Sequence, residues 1–437
     1  MQYSILNSEF IFWTAWVIIP LLVEIIPAMG CFLVLLLKYV RRKRKKEYIE
    51  YYPEITIIIP VYNSADTLRK CIRSVFESDY DKDLINVMLV DNGSTDASFS
   101  VFQECQKEFP SLNMTWMTSN QGKSRALNKA IFNVSGKYVI NIDSDGRLEK
   151  NALKNVVLRF ENDLDIHCVT GVILTENSEI EQTKDPLLKH IRRLEFIEYC
   201  HVFLAGRNFH SEFNSLFTIS GAFSAFRKST LVQTFLYNTD TICEDAHITF
   251  QIKKQGKKVA LCENAFFYVS PIDDLNKLYT QRQRWQIGEL EVFHMFFKKK
   301  MHLWEIIKNS SLRILLFDHT FSFPRFIWYA ALAAIVFLNY TLQSTMVALL
   351  LLYLLYGFTG FLFSIVVNQF LKDFPEDKKY YNSRLPYVAL YPLYNMGTFF
   401  IRLAGIINSI TRNSSWKTYT FSEELAVIKD IIKKDFF

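Results

Sequence analysis

Two carboxylates one residue apart, Asp143-Ser144-Asp145, close the apolar run Lys137-Tyr-Val-Ile-Asn-Ile142. A second acidic pair, Glu244-Asp245, comes later, followed by Gln281-Arg282-Gln283-Arg284-Trp285 and then by strongly apolar sequence. Carboxylates spaced as in Asp143 and Asp145 repel each other unless a cation neutralises them. A hard divalent ion, Mg²⁺ or Mn²⁺, prefers carboxylate oxygen and bridges readily to phosphate, which suits a phosphorylated leaving group. An exposed turn is the competing account of this segment. A planar guanidinium such as that of Arg284 matches phosphate oxygens two at a time; otherwise the same helix turns its cations toward lipid headgroups.

These groups need a scaffold that brings them together. Residues 55–59 and 86–90 are short β-branched and apolar runs, each leading into a polar turn and a helical stretch, and 137–142 repeats the pattern. Strands alternating with helices at 66–78, 96–108 and 122–133 predict parallel βαβ units, an α/β sheet buried on both faces. Such sheets bind ligands beyond the carboxyl ends of their strands, so the polar sequences there are where chemistry is expected. Beyond Leu174 the pattern turns helical over 186–205, becomes irregular and rich in Phe, Ser and Gly over 211–227, and predicts a helix from Asp245 to Gln255 capped by Gly256.

The 437 residues are unevenly apolar: 11–37 hold a single charge, Glu24, and 326–371 hold none. About 20 apolar residues cross a bilayer core, so 11–38 is expected to span once, kinked near Pro20 and Pro27. The basic run Arg41-Arg42-Lys43-Arg44-Lys45-Lys46 follows that span and assigns the soluble part to the cytosol. Its place beside a span favours contact with anionic lipid over nucleic acid, and much of the net charge of +6 comes from it. A cleaved signal peptide is the alternative for the first segment, but no basic region precedes it. Seven scattered cysteines without CxxC spacing read as reduced thiols, and the eight histidines form no ligand cluster. The expected divisions are an N-terminal transmembrane helix (1–40), a basic linker (41–53), a cytosolic domain (54–297), an interfacial helix (298–322), transmembrane helices (323–411) and a tail (412–437). Three late apolar stretches, 323–341, 345–370 and 385–410, leave the side of the tail open, since three crossings put it outside and two put it inside.

Ile59-Pro60-Val61-Tyr62-Asn63, Val90-Asp91-Asn92-Gly93-Ser94-Thr95-Asp96, Asn120-Gln121-Gly122-Lys123 and Asp143-Ser144-Asp145 occur in the order and spacing of the family 2 glycosyltransferases. With Glu244-Asp245 and the Gln-Arg-x-Arg-Trp motif, residues 54–290 resemble that family, and in particular its membrane-embedded synthases of poly-N-acetylglucosamine, hyaluronan, cellulose and chitin. Length and layout are also similar to a Gram-positive group found with exosortase-like proteins. The resemblance implies a GT-A-like, mostly parallel sheet flanked by helices. It implies that Pro60, Tyr62, Asp91, Lys123, Asp143 and Arg284 bind nucleotide, that Asp143 and Asp145 hold the metal, and that Asp245 is the base that deprotonates the acceptor hydroxyl. Gly221, Phe223, Glu244, Gln281 and Trp285 are implied on the acceptor side, Trp285 offering a flat face to a sugar ring. Cys243 stands where the family carries threonine. Asp91 as an Asx-turn, Lys123 as a surface lysine and Glu244-Asp245 as helix-capping acids are the competing structural roles. Trp416 is similar to a tryptophan in the gating segment of the same synthases.

The resemblance thus implies a UDP-sugar donor and processive, inverting transfer to a growing cell-surface or extracellular polysaccharide, with the lipid bilayer and an accessory membrane subunit as partners; the basic run calls for no nucleic acid. A synthase that adds one or a few sugars to a lipid-linked acceptor is the nearest rival. A non-catalytic nucleotide-binding scaffold of an export complex is the rival of another class.

Overall fold

The computed structural model describes residues 21–42, 49–296, 342–411 and 420–426. The part of the expected first span before residue 21, residues 43–46 of the basic run, the interfacial helix, the stretch 323–341, the side chain of Glu24 and Trp416 lie outside the described residues. The chain divides into two compact units, Lys46–Arg192 with His210–Met301 and Ala404–Phe437, and Met1–Lys45 with Arg193–Phe209 and His302–Leu403.

The first of these units is built on an eight-stranded sheet in the order β3-β2-β1-β4-β7-β6-β8-β5. Its strands are β1 (Ile55–Val61), β2 (Ile85–Asp91), β3 (Asn113–Thr118), β4 (Tyr138–Ile142), β5 (Gly146–Leu148), β6 (Ile166–Thr175), β7 (Phe223–Arg227) and β8 (Lys258–Val269). β3, β2, β1 and β4 are parallel neighbours, as the alternation of strand and helix predicts. All seven residues of β1 and all five of β4 are buried, the signature of a sheet covered on both faces. Pro60 pairs with Val90 but lies beyond the β1–β4 ladder, which ends at Ile58 and Asn141, so its missing N–H takes nothing from β4. The helices Leu68–Phe76, Ser98–Glu108 and Lys123–Ile131 fall within the expected stretches.

β7 runs antiparallel to β4, with Ile142 opposite Phe223. This reversal carries the loop before β7 to the same sheet edge at which the parallel strands end. Asp143 N–H donates to the Ala222 carbonyl at 3.1 Å, joining the two. The helix Glu244–Lys254 begins one residue before the expected start and stops at Gly256, whose φ of 72° is the left-handed value a helix-ending glycine supplies. The helix Leu275–Phe296 carries the Gln-Arg-x-Arg-Trp motif. Residues from the end of the chain dock on it. Gly405 approaches Gln283 so closely that an added Cβ would lie 3.3 Å from its Cα, and Asn408 donates to Glu424 Oε1 at 2.7 Å. Glu424 in turn accepts from the Tyr279 hydroxyl.

The other unit is helical. A π-turn, Leu21–Ile25, leads into the helix Ile26–Arg42, and Pro27, which has no N–H to donate, stands at the junction between them. The helix Pro186–Cys200 continues through a π-turn, His201–Arg207. Within this unit Lys38 Nζ donates to Asn208 Oδ1 at 2.6 Å and the Tyr394 hydroxyl to Glu198 Oε2 at 3.0 Å. Leu342–Phe370 and Tyr387–Thr411 are helices of 29 and 25 residues. Among the described residues, one stretch, Leu349–Asp373, is long and apolar enough to cross a membrane.

Candidate active site

The ends of β1 and β2 are laced together by side chains that also shape the loops. Asn63, at φ 47°, donates its N–H to Ser94 Oγ at 3.1 Å and accepts at Oδ1 from Thr95 N–H at 2.8 Å. Asp91 Oδ1 accepts from Ser94 N–H at 2.9 Å, the Asx geometry expected of an aspartate in a turn, and that leaves its other carboxylate oxygen for a ligand. Tyr62 is half-exposed and its hydroxyl accepts from Gln121 Nε2 at 3.4 Å, whereas Pro60 is buried in the strand. Asn92 Oδ1 receives Gly122 N–H, fixing the third loop at φ 132°, a backbone conformation that suits glycine. Lys123 follows as the first helical residue.

Lys123 Nζ donates to Asp143 Oδ1 at 2.5 Å and to the Gly221 carbonyl at 3.4 Å. Desolvation pulls this ammonium down, but the charges of Asp143, Asp245 and Glu244 outweigh it and hold its pKa above the ordinary lysine value. Those three acids come from the end of β4 and the first turn of Glu244–Lys254, so the cation marks where they converge. Ser144 is buried and its hydroxyl meets Ser64 Oγ at 2.7 Å, which fixes the turn between the two aspartates. Asp145 is exposed at the end of this turn. Desolvation first, and the like charge of Asp143 second, raise its carboxyl above the usual range.

A divalent cation fits this donor set. It would relieve the repulsion between Asp143 and Asp145. Among the described residues no group of three His, Cys, Asp or Glu side chains could form an all-protein cage. Two carboxylates completed by substrate phosphates are the arrangement in which Mg²⁺ is commonly held.

Asp245 lies against Gly221: a Cβ built on that glycine would fall 2.2 Å from Asp245 Oδ2 and 2.8 Å from Oδ1. The loop is tied to the same helix by Thr249, whose hydroxyl donates to the Asp245 carbonyl at 2.6 Å and accepts from Ile219 N–H at 3.1 Å. Glu244 is buried. Its carboxyl is raised by desolvation and by Asp143, against the opposing charges of Lys123 and Arg284. Both acids sit in the first turn, where the helix dipole favours negative charge. Cys243 precedes them and makes no side-chain cap bond.

The helix Leu275–Phe296 is anchored to the residues before this pair. Glu291 Oε2 accepts from the Thr241 hydroxyl at 2.9 Å and from Ile242 N–H at 3.2 Å, and Gly288 faces Cys243 with room for no side chain. Arg284 is exposed, Gln281 half-buried and Trp285 37% exposed. Arg282, the first arginine of the motif and one without an expected role, is fully buried with its guanidinium 4.3 Å from the centre of the Trp285 ring. One signal was present: residues two apart on a helix point about 200° from each other, so only one of the two arginines can face the cleft. One expectation is corrected. Phe223 has no accessible surface; its ring packs against Phe267 at 5.9 Å and over Gly171, so it belongs to the sheet interior and lines no acceptor path.

Residues 56–235 match the model of glycosyl transferase family 2. Poly-beta-1,6-N-acetyl-D-glucosamine synthases of Staphylococcus aureus are 26% identical over 286 residues, 65% of this chain. The synthase of Staphylococcus epidermidis is 26% identical over 320 residues, 72% of each chain. The match spans 66% of the length of the Staphylococcus aureus relatives, a little under two thirds. Among solved structures, a mannosyltransferase from Pyrobaculum calidifontis in complex with GDP-Man and Mn²⁺ superposes with a TM-score of 0.58 at 19% identity, covering 89% of this chain and 99% of the other, a likeness of fold. With the strand-end motifs gathered at one edge of a GT-A-like sheet and the matched residues spanning them, residues 56–235 form a glycosyl transferase family 2 domain.

Proposed function

We propose that the protein is a multi-pass membrane enzyme with a cytosolic catalytic domain at residues 54–297, which transfers a sugar from a UDP-sugar, with inversion, to the end of a growing cell-surface polysaccharide. The observation that carries this reading is the convergence of Asp143, Glu244 and Asp245 on one lysine, with the Asp245 carboxylate held against the Gly221 backbone. Asp245 takes the proton of the acceptor hydroxyl as that oxygen attacks the anomeric carbon from the face opposite the departing UDP. Asp143 and Asp145 would hold Mg²⁺ or Mn²⁺, which when bound spreads the charge of the leaving diphosphate. The P. calidifontis enzyme, of the same fold, was solved with Mn²⁺. Tyr62 and Asp91 border the base, and Arg284 and Lys123 bind diphosphate oxygens. Trp285, stiffened by the guanidinium stacked on it, offers its free face to the acceptor.

The membrane part of the reading draws on the long apolar helix, along which Leu350, Leu354, Phe358 and Phe361 present exposed side chains at helical spacing. The name of the staphylococcal relatives makes UDP-N-acetylglucosamine the first donor to test. Full-length protein in detergent, given radiolabelled UDP-sugars and Mn²⁺ or Mg²⁺, is expected to make material that grows in length with time. Asp245→Asn is expected to lose at least about a hundredfold in rate while still binding UDP. Label confined to short lipid-extractable products argues for the glycolipid rival. Wild-type rates from Asp245→Asn would remove the assigned base.

A further inference from the structure

The ammonium of Lys123 stands between groups that both need a cation. It holds Asp143 Oδ1 at 2.5 Å and reaches the Gly221 carbonyl at 3.4 Å, and the charges of Asp245 and Glu244 bear on it as well. Asp143 is also one of the two carboxylates that would ligate a divalent ion. Both side chains of the ion pair are about one quarter exposed, 24% and 28%, so the pair is partly desolvated and its nitrogen stays within reach of the cleft. Glycine backbone lies on both sides, Gly122 before it and Gly221 across from it, and neither presents a side chain that would block a swing of the lysine stem.

We propose that Lys123 is an exchangeable counter-cation, paired with Asp143 until a divalent ion arrives with the donor diphosphate, and then paired with the diphosphate instead. The inference rests on the reading that Asp143 and Asp145 hold the cation. No bond to carbon changes; one ion pair is traded for another. While Lys123 is on Asp143, a divalent ion arriving alone meets a site of net charge −1 in place of −2 and binds weakly. When the ion comes with a diphosphate, the displaced ammonium gains a stronger anionic partner and the exchange is favourable. Metal and nucleotide therefore bind cooperatively, and the carboxylates do not trap a bare ion that would misplace the donor.

Mn²⁺ titration of the full-length protein in detergent, read by the EPR signal of free Mn²⁺ with and without UDP, tests this without turnover. Lys123→Gln is expected to bind Mn²⁺ alone about tenfold more tightly than wild type and to lose most of the tightening that UDP brings. Lys123→Arg, which keeps the charge, is expected to stay within about twofold of wild type for Mn²⁺ alone. If Lys123→Gln binds Mn²⁺ no more tightly than wild type while Asp145→Asn abolishes binding, the exchange is wrong and the carboxylate site stands. If Asp145→Asn binds Mn²⁺ like wild type, the site itself is wrong. Unmodified protein gives an independent reading: UDP should tighten Mn²⁺ binding by about tenfold, and independent binding of the two overturns the proposal.

Discussion

Gly221→Ala is the smallest change that reaches the proposed base. The added methyl carbon would lie 2.2 Å from Asp245 Oδ2, 2.7 Å from its Cγ and 2.8 Å from Oδ1. A carbon–oxygen contact settles at a little over 3 Å, so the carboxylate must retreat by about 1 Å. Its neighbours limit where it can go, because the Asp245 carbonyl is held by Thr249 and the loop by Thr249 and Thr170, whose hydroxyl accepts from Ser220 N–H at 2.9 Å. Displacing a reacting group by about 1 Å commonly costs about a hundredfold in rate, close to 2.7 kcal/mol of barrier. The expected result is a fall of that size in kcat at saturating donor, with KM for the donor within about twofold of wild type, because the nucleotide contacts lie on other loops. Gly221 has no left-handed backbone that alanine would strain, so the melting temperature should move little. Gly256→Ala is the contrast: its φ is 72° and nothing lies near the new methyl, so it should cost roughly 1 kcal/mol of stability and leave kcat unchanged. Radiolabelled-donor kinetics and thermal unfolding of both variants decide the matter. Wild-type kcat for Gly221→Ala would mean that the Asp245 carboxylate at Gly221 is not the group that accepts the proton.

Gly288→Ala puts a methyl 2.4 Å from Cys243 Cβ, an atom fixed to the backbone, so the motif-bearing helix must move away from the Glu244-Asp245 turn. A loss of about 1–3 kcal/mol in thermal or denaturant unfolding is expected, with a fall in kcat, and an unperturbed variant would show that the two segments do not depend on this contact. Glu176 accepts both Arg147 nitrogens and Lys70, the latter at 3.1 Å. Burial pushes its carboxyl up, but those cations outweigh it and leave it below the usual glutamate range. A depressed folded-state pKa means that the pair stabilises above the unfolded value, about 4.3, and that its contribution disappears as pH falls through the lower folded value. Glu176→Gln should therefore be about 1–3 kcal/mol less stable near neutral pH, a range lowered by the partial exposure of Arg147 and Lys70, with the difference closing near pH 3. A difference that stays constant with pH would assign the loss to packing.

The three strands that end in binding motifs were legible because each is a short β-branched run closed by polar turn residues, and β1, β2 and β4 appear there. β3, Asn113-Met-Thr-Trp-Met-Thr118, lies at the sheet edge and mixes polar with apolar residues, so periodicity does not mark it. β6 is interrupted by His167, Thr170 and Gly171 and β8 by Glu263 and Asn264, so neither shows the clean alternation or unbroken apolar run that marks a strand. The site follows the same division. Asp143, Lys123 and Asp245 were named from local motifs, and their meeting depends on β7 running antiparallel to β4, a pairing between residues 81 to 89 apart that no local signal encodes. Phe223 was misplaced for the same reason: Gly171 and Phe267, which enclose it, come from other strands. The buried face of the motif helix, and with it the difference between Arg282 and Arg284, depends on what covers that helix.

The contacts of Gly405, Asn408 and Glu424 with the motif helix restrict how the chain threads a bilayer. The polypeptide leaves the catalytic unit after Met301 and rejoins it at Ala404. A path that departs from one compartment and returns to it makes an even number of passages. If the chain is the multi-pass protein proposed above, two of the three expected apolar stretches would cross and the third would not. A reporter fused behind Phe437 would share its compartment with the donor nucleotide.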